Sequence, residues 1–168
     1  MKYVKRGFTF IELILYLGLS SLILGALVTF AWDVIYGRVK AQVQLEVNQN
    51  IRYVSSRIES EIRGSSGVVE MSATSLILSN SNPNYNPTVI ELVGDEILIG
   101  QGSVGDCPST NPCPITSDRV SVGELIFTDM SSLEMGNIKY VMKIDYLNPD
   151  NIQRYKKSES ITNAVSIR

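Results

Sequence analysis

Residues 8–32 read FTFIELILYLGLSSLILGALVTFAW, twenty-five positions with a single charge, Glu12, and only Thr9, Ser20, Ser21 and Thr29 as further polar side chains. At about 1.5 Å per residue a helix of this length covers roughly 37 Å, more than the roughly 30 Å hydrocarbon core of a bilayer. The stretch is long enough to span a membrane. Lys2, Lys5 and Arg6 lie before it and Asp33 begins the far side, so the positive-inside rule places the N-terminus in the cytoplasm and the remainder outside it. An ordinary secretory signal has a shorter apolar core and a small-residue cleavage site beyond it. Thr29-Phe30-Ala31 is the nearest approach to such a site, but the core before it is too long and carries a carboxylate. An uncleaved signal anchor shares the length, hydropathy and flanking charge, and stays open as an alternative.

Glu12 separates these readings. A lone carboxylate in hydrocarbon costs about 2.5 to 3.5 kcal/mol on insertion scales, which makes an intramembrane acid a functional candidate by default. It needs a cationic mate. No basic residue follows it within two helical turns, and Lys5 and Arg6 can stay at the interface. A cut between Gly7 and Phe8 would create a new amine four residues before Glu12, available to the acid of a neighbouring subunit. Two such charges at 4 Å attract by roughly 4 kcal/mol at an effective dielectric of 20, comparable with the insertion cost.

Gly7-Phe8-Thr9-Phe10-Ile11-Glu12-Leu13, after a short basic leader and before an apolar helix, resembles the prepilin motif of type IV pilins and type II secretion pseudopilins. The resemblance implies that prepilin peptidase cuts after Gly7 on the cytoplasmic side and N-methylates Phe8. It also implies that Glu12 pairs with a neighbouring N-terminus during assembly. The partners implied are prepilin peptidase, other pilins or pseudopilins of the same filament, and an inner-membrane assembly platform. The chain would then be a single-pass inner-membrane protein that becomes filament-associated after processing. Many major pilins carry a helix-breaking proline in mid-segment; here Thr29 occupies about that position, and Gly18 and Gly25 are the flexible residues.

Beyond Trp32, Val39, Val43, Val47, Ile51, Val54, Ile58 and Ile62 recur every three or four residues, with Arg38, Lys40, Glu46, Arg52, Arg57 and Glu61 between them. This is the spacing of an amphipathic helix, ended at Gly64-Ser65-Ser66-Gly67. With no proline from Phe8 to Arg63, the two helical stretches are expected to run on as one rod whose apolar stripe buries against a sheet. After Gly67 the pattern turns β-like. Val68 to Met71, Ser75 to Ser79 and Thr88 to Val93 read as strands, and Gly94-Asp95 joins the third to Glu96-Ile97-Leu98-Ile99 as a hairpin. Ile138, Tyr140, Met142, Ile144 and Tyr146 alternate with Lys139, Val141, Lys143 and Asp145 as a half-buried antiparallel strand. Val120 to Thr128 is its expected partner, and the sheet is expected to finish at Ala164-Val165-Ser166-Ile167. Asn80 to Pro87 and Ile152 to Ser160 read as polar loops.

The predicted class is therefore α+β, a long N-terminal helix packed on an antiparallel β-sheet in a pilin-like arrangement. The expected divisions are a leader at 1–7, a membrane or filament-core helix at 8–32, its amphipathic continuation at 33–63, and an extracytoplasmic β-rich domain at 64–168. The order late in the chain, Ile115-Thr116-Ser117-Asp118, Leu125-Ile126-Phe127-Thr128, a long alternating strand and then Val165-Ser166-Ile167-Arg168, resembles J-type pseudopilins and related minor pilins.

Composition narrows the function. The formal charge is −2; of 15 basic residues three precede Gly7, and without them 12 stand against 17 acidic ones. That balance gives no footprint for direct nucleic-acid binding, which leans on clustered Lys and Arg. The chain has no histidine, which removes the commonest general base and nitrogen ligand for zinc. No carboxylate pair stands in a recognisable catalytic motif, so no catalytic residue, metal or cofactor is expected. Cys107 and Cys113, six apart among prolines and small polar residues, read as a disulfide in an oxidising compartment, with two free thiols as the alternative. The leading function is a minor pilin or pseudopilin, a structural subunit of a filament serving pilus biogenesis, type II secretion or competence. The alternative is a single-pass, membrane-anchored extracytoplasmic binding protein.

Overall fold

The computed structural model describes residues 7–102, 112–131 and 136–167. The chain divides into two units, Met1–Lys40 and Ala41–Arg168. A single helix, α1 (Phe10–Gly64), begins in the first and ends in the second, as the lack of proline requires. Its last turn is closed at Ser65, whose N–H and hydroxyl both donate to the Ile62 carbonyl at 3.3 and 2.7 Å. Side-chain and backbone donors thus satisfy a carbonyl that the helix itself leaves unpaired.

In the second unit the predicted stripe is buried: Val43, Val47, Ile51, Val54, Ile58 and Ile62 are all covered. Among the described residues, eight strands supply what they pack on. In chain order β1 (Gly67–Met71), β2 (Ser75–Ser79), β3 (Thr88–Val93), β4 (Glu96–Gln101) and β5 (Cys113–Pro114) form one antiparallel meander. A second antiparallel meander follows from β6 (Val120–Asp129), β7 (Asn137–Tyr146) and β8 (Ser158–Ser166). Alternate residues of both sheets point to one common core with α1, Leu76, Leu78, Ile90, Ile97 and Ile99 from the first and Leu125, Phe127, Tyr140, Met142 and Ile144 from the second. The predicted class holds, with the strands divided between two sheets. Val120 pairs with Tyr146 and Asp129 with Ile138, so β6 and β7 are the expected partners.

The C-terminal strand closes the second sheet at Ala164–Ser166 as expected, but it is longer than expected. β8 starts at Ser158, within the stretch read as loop, and spans nine residues. Its outer-face residues are small and, Ala164 apart, polar, and its inner face holds Glu159 and Asn163, so the apolar alternation that marks a strand is present only at Ile161 and Val165.

Polar contacts fix α1 to both sheets. Toward the second sheet, the Tyr140 hydroxyl lies 2.6 Å from Ser55 Oγ and donates to Glu59 Oε1 at 3.2 Å. Asn163 Nδ2 donates to the same carboxylate oxygen at 2.7 Å. Toward the first sheet, Gln101 Nε2 donates to Glu61 Oε2 at 2.9 Å. Ser117 N–H donates to Asn50 Oδ1 at 3.0 Å, beside the start of β6.

The hairpin at Gly94 ties the two sheets together. Gly94 has φ +65° at the first central position of a two-residue turn between Val93 and Glu96, where a type II′ turn needs glycine. The next carbonyl, Asp95 O, accepts the Val122 N–H at 2.8 Å, and Ala73 O in the β1–β2 turn accepts the Phe127 N–H at 2.9 Å. Gly94→Ala is expected to destabilise the unit by about 1–2 kcal/mol, the cost of a β carbon in left-handed backbone. Asp95→Ala, which keeps the contacting carbonyl, should lie within about 0.5 kcal/mol of wild type. Urea unfolding of the three proteins measures both, and equal effects from the two substitutions would contradict the turn assignment.

Candidate assembly segment

Gly7, Phe8 and Thr9 precede the first helical residue and have no regular secondary structure. The peptide bond between Gly7 and Phe8 therefore lies outside the helix, in backbone that a protease can hold extended. Thr9 occupies the N-cap position. Its carbonyl accepts the Leu13 N–H at 3.2 Å and its hydroxyl accepts the Glu12 N–H at 3.4 Å. Thr9 and Glu12 thus stand at the spacing of a capping box, threonine at the cap and glutamate three residues on. Sequence reading had missed Thr9, although the Thr-x-x-Glu spacing is itself the signal. Glu12 falls in the first turn of α1, where the helix macrodipole favours negative charge.

Phe8 is not detached from the helix. Its ring meets Tyr16 edge-on with centroids 6.2 Å apart. Further along, Trp32 and Tyr36 stack one turn apart at 5.8 Å, at the end of the apolar run. Amphipathic rings of this kind favour the water–lipid boundary.

Between these aromatic pairs the surface is apolar and open. Phe10 is 80% exposed, Leu22 74% and Phe30 67%, and the most apolar 18-residue window of α1 has mean hydropathy 2.2 with none of it buried. α1 is thus long and apolar enough to cross a membrane, consistent with a single-pass membrane protein. The hydroxyls in this run are satisfied by the helix itself. Ser20 donates to Leu17 O at 3.1 Å, Ser21 to Gly18 O at 2.8 Å and Thr29 to Ala26 O at 2.9 Å, so none would carry an orphaned donor into lipid. Glu12 is different: among the described residues its carboxylate has no hydrogen bond or ion pair. Glycine does not pack either, since a β carbon at Gly18 or Gly25 would meet nothing within 4 Å.

The structure thus brings Gly7, Phe8, Thr9 and Glu12 together at one helix end. The predicted cysteine pair is elsewhere. Cys113 lies in β5, opposite Ile99 of β4, and is not a free thiol; Cys107 lies outside the described residues, as do the basic residues of the leader. Comparison of the chain with protein-family models, with curated proteins and with solved structures found no match.

Proposed function

We propose that the chain is a prepilin-like subunit, a minor pilin or pseudopilin that is cut between Gly7 and Phe8 and joins a filament through α1. The observation that carries this reading is the helix start: a Gly7–Phe8 bond outside regular structure, followed by an apolar run whose sole carboxylate, Glu12, has no hydrogen bond or ion pair among the described residues. Cleavage would give Phe8 an amine that lies one residue before the cap of α1. Neighbouring helices side by side would then present that amine to Glu12, and the pairing would offset the cost of burying both charges. Lys2, Lys5 and Arg6 hold the leader on the cytoplasmic side, where prepilin peptidase acts on this reading, and the unit beginning at Ala41 lies outside the cytoplasm. The role is structural, in pilus biogenesis, type II secretion or DNA uptake.

The test is to express the full chain with active and with inactivated prepilin peptidase and to read its N-terminus by intact mass and sequencing. An N-terminus at N-methylated Phe8 with the active peptidase, and at Met1 with the inactive one, is the expected result. Retention of Met1 in both overturns the processing step and leaves the membrane-anchored binding protein as the better reading.

A further inference from the structure

Among the described residues, nothing pairs with the outer edge of β8. β8 is the outer strand of the second sheet and pairs with β7 through nine consecutive partners without a bulge. The other outer strand of that sheet, β6, is covered by the Asp95 and Ala73 carbonyls. The ladder phase tells which groups of β8 look outward. Tyr146 N–H donates to Lys157 O at 2.9 Å and Ile167 N–H to Gly136 O at 2.9 Å, so the odd-numbered residues exchange hydrogen bonds with β7. In an antiparallel ladder the residues between them turn both backbone groups away. Ser158, Ser160, Thr162, Ala164 and Ser166 therefore present five N–H and five C=O groups along the outer edge; among the described residues the one further hydrogen bond of these five is from the Ser166 hydroxyl back to Asn137 Oδ1 of β7 at 2.6 Å, which leaves the backbone groups open.

Proteins ordinarily blunt such an edge with proline, a bulge, a lysine or a short strand. The first sheet does so: β1 carries a register shift between Val68 and Glu70, and β5 has two residues, one of them Pro114. β8 has none of these devices, and its five outward residues are small, uncharged and exposed.

Charge indicates what would fit. Ser55 and Glu59 of α1 lie over β8 through Asn163, while Arg57 and Glu61, on the other flank of α1, meet Gln101 of β4. By helical phase, Arg52, Ser56 and Arg63 come next beyond Ser55 and Glu59, over the position of a strand added to β8. Arg63 pairs with Glu59 at 3.0 Å, and Arg52 is exposed and makes no ion pair among the described residues.

We propose that β8 accepts, as a fourth strand, an extended segment of another protein that carries small residues on one face and carboxylates on the face turned toward Arg52. Backbone pairing would supply the affinity and the flanking side chains the selectivity, as in other cases of strand addition. A second copy of β8 fits less well, because its inward face offers one carboxylate, Glu159, already paired with Lys157 at 2.8 Å. The inference rests on the unit Ala41–Arg168 alone and stands whether or not Gly7 marks a cleavage site.

The probe is a blocked nine-residue peptide alternating threonine with glutamate, added to the full chain in detergent micelles, with residue-resolved amide exchange as the readout. In the free chain the amides of Glu159, Ile161, Asn163 and Val165 should be protected, and those of Ser158, Ser160, Thr162, Ala164 and Ser166 should exchange freely. The peptide should protect the second group. Thr162→Pro, whose lost N–H faces outward, should abolish that protection while leaving the first group protected; Thr162→Lys serves the same purpose should the proline variant not fold. Arg52→Glu should weaken binding roughly tenfold or more, the scale of one charge-assisted contact. Three results overturn the proposal: no protection at millimolar peptide, equal binding of a threonine–lysine peptide, or concentration-dependent protection of the second group without peptide, which would make a second copy the occupant.

Discussion

Glu12→Ala is expected to yield a chain that inserts and is cut after Gly7 but enters filaments roughly 100- to 1,000-fold less efficiently than wild type. That range follows from an attraction of roughly 4 kcal/mol between Glu12 and a neighbouring Phe8 amine at 4 Å, at about 1.4 kcal/mol per decade. Insertion should improve slightly, because alanine removes a group that costs about 2.5 to 3.5 kcal/mol in lipid. Glu12 also stands in the first turn at capping-box spacing with Thr9, so part of any defect could come from a frayed helix end. Thr9→Val separates the two: it removes the hydroxyl cap, worth about 1 kcal/mol, and leaves the carboxylate. Cross-linking of membrane-embedded chains to sibling subunits, beside fractionation and N-terminal sequencing, reads each step. Assembly of Glu12→Ala at the wild-type level, or an equal loss from Thr9→Val, would sink the pairing role.

What could be read from the sequence follows the range of the interaction that encodes it. The stripe from Val43 to Ile62 repeats at helical spacing, and each of its residues is buried. Val39, also placed on that stripe, is only partly covered. Ile138, Tyr140, Met142 and Ile144 alternate, and all four are fully buried. These signals are local, since period alone decides which face turns inward. The candidate site was legible for the same reason, as Gly7, Phe8 and Glu12 lie within one short stretch. Of β8 only the end, Ala164–Ser166, was legible; its first part was not, because its inward face turns the half-buried Asn163 into a polar cluster instead of an apolar core. The cluster joins Ser55 and Glu59, one turn apart on α1, to residues more than eighty positions away. No periodicity carries such a contact. Division into two sheets was hidden likewise, since neither the strand pairing that divides them nor the backbone bonds from Asp95 and Ala73 that tie β6 to the first sheet are announced by any side chain.

That cluster gives the second large effect, at Tyr140. Its side chain is fully buried between Phe127, with ring centroids 6.5 Å apart, and the polar groups of α1. Tyr140→Ala removes the ring and opens a cavity, with an expected loss of about 3–5 kcal/mol. Tyr140→Phe keeps the ring and removes the hydroxyl, which leaves Ser55 and Asn163 short of one partner while Asn163 and Arg63 still hold Glu59; its cost should be about 1–2 kcal/mol. The ratio distinguishes packing from hydrogen bonding. Alkaline pH isolates the hydroxyl further. Burial disfavours the phenolate and raises the Tyr140 pKa above its ordinary value near 10, helped by the Glu59 charge and opposed by the Ser55 and Asn163 hydrogen bonds. Above pH 10 the unfolded chain releases this proton while the folded chain keeps it, so wild type loses stability as pH rises from there toward the folded pKa. The phenylalanine variant lacks that proton and escapes this part of the loss. The stability gap between wild type and Tyr140→Phe should therefore be constant below pH 10 and narrow above it, measured by urea unfolding of both full-length chains in micelles. A gap that widens above pH 10, or a Tyr140→Phe cost near zero, would rule out the buried, hydrogen-bonded hydroxyl as the element that locks α1 to the second sheet.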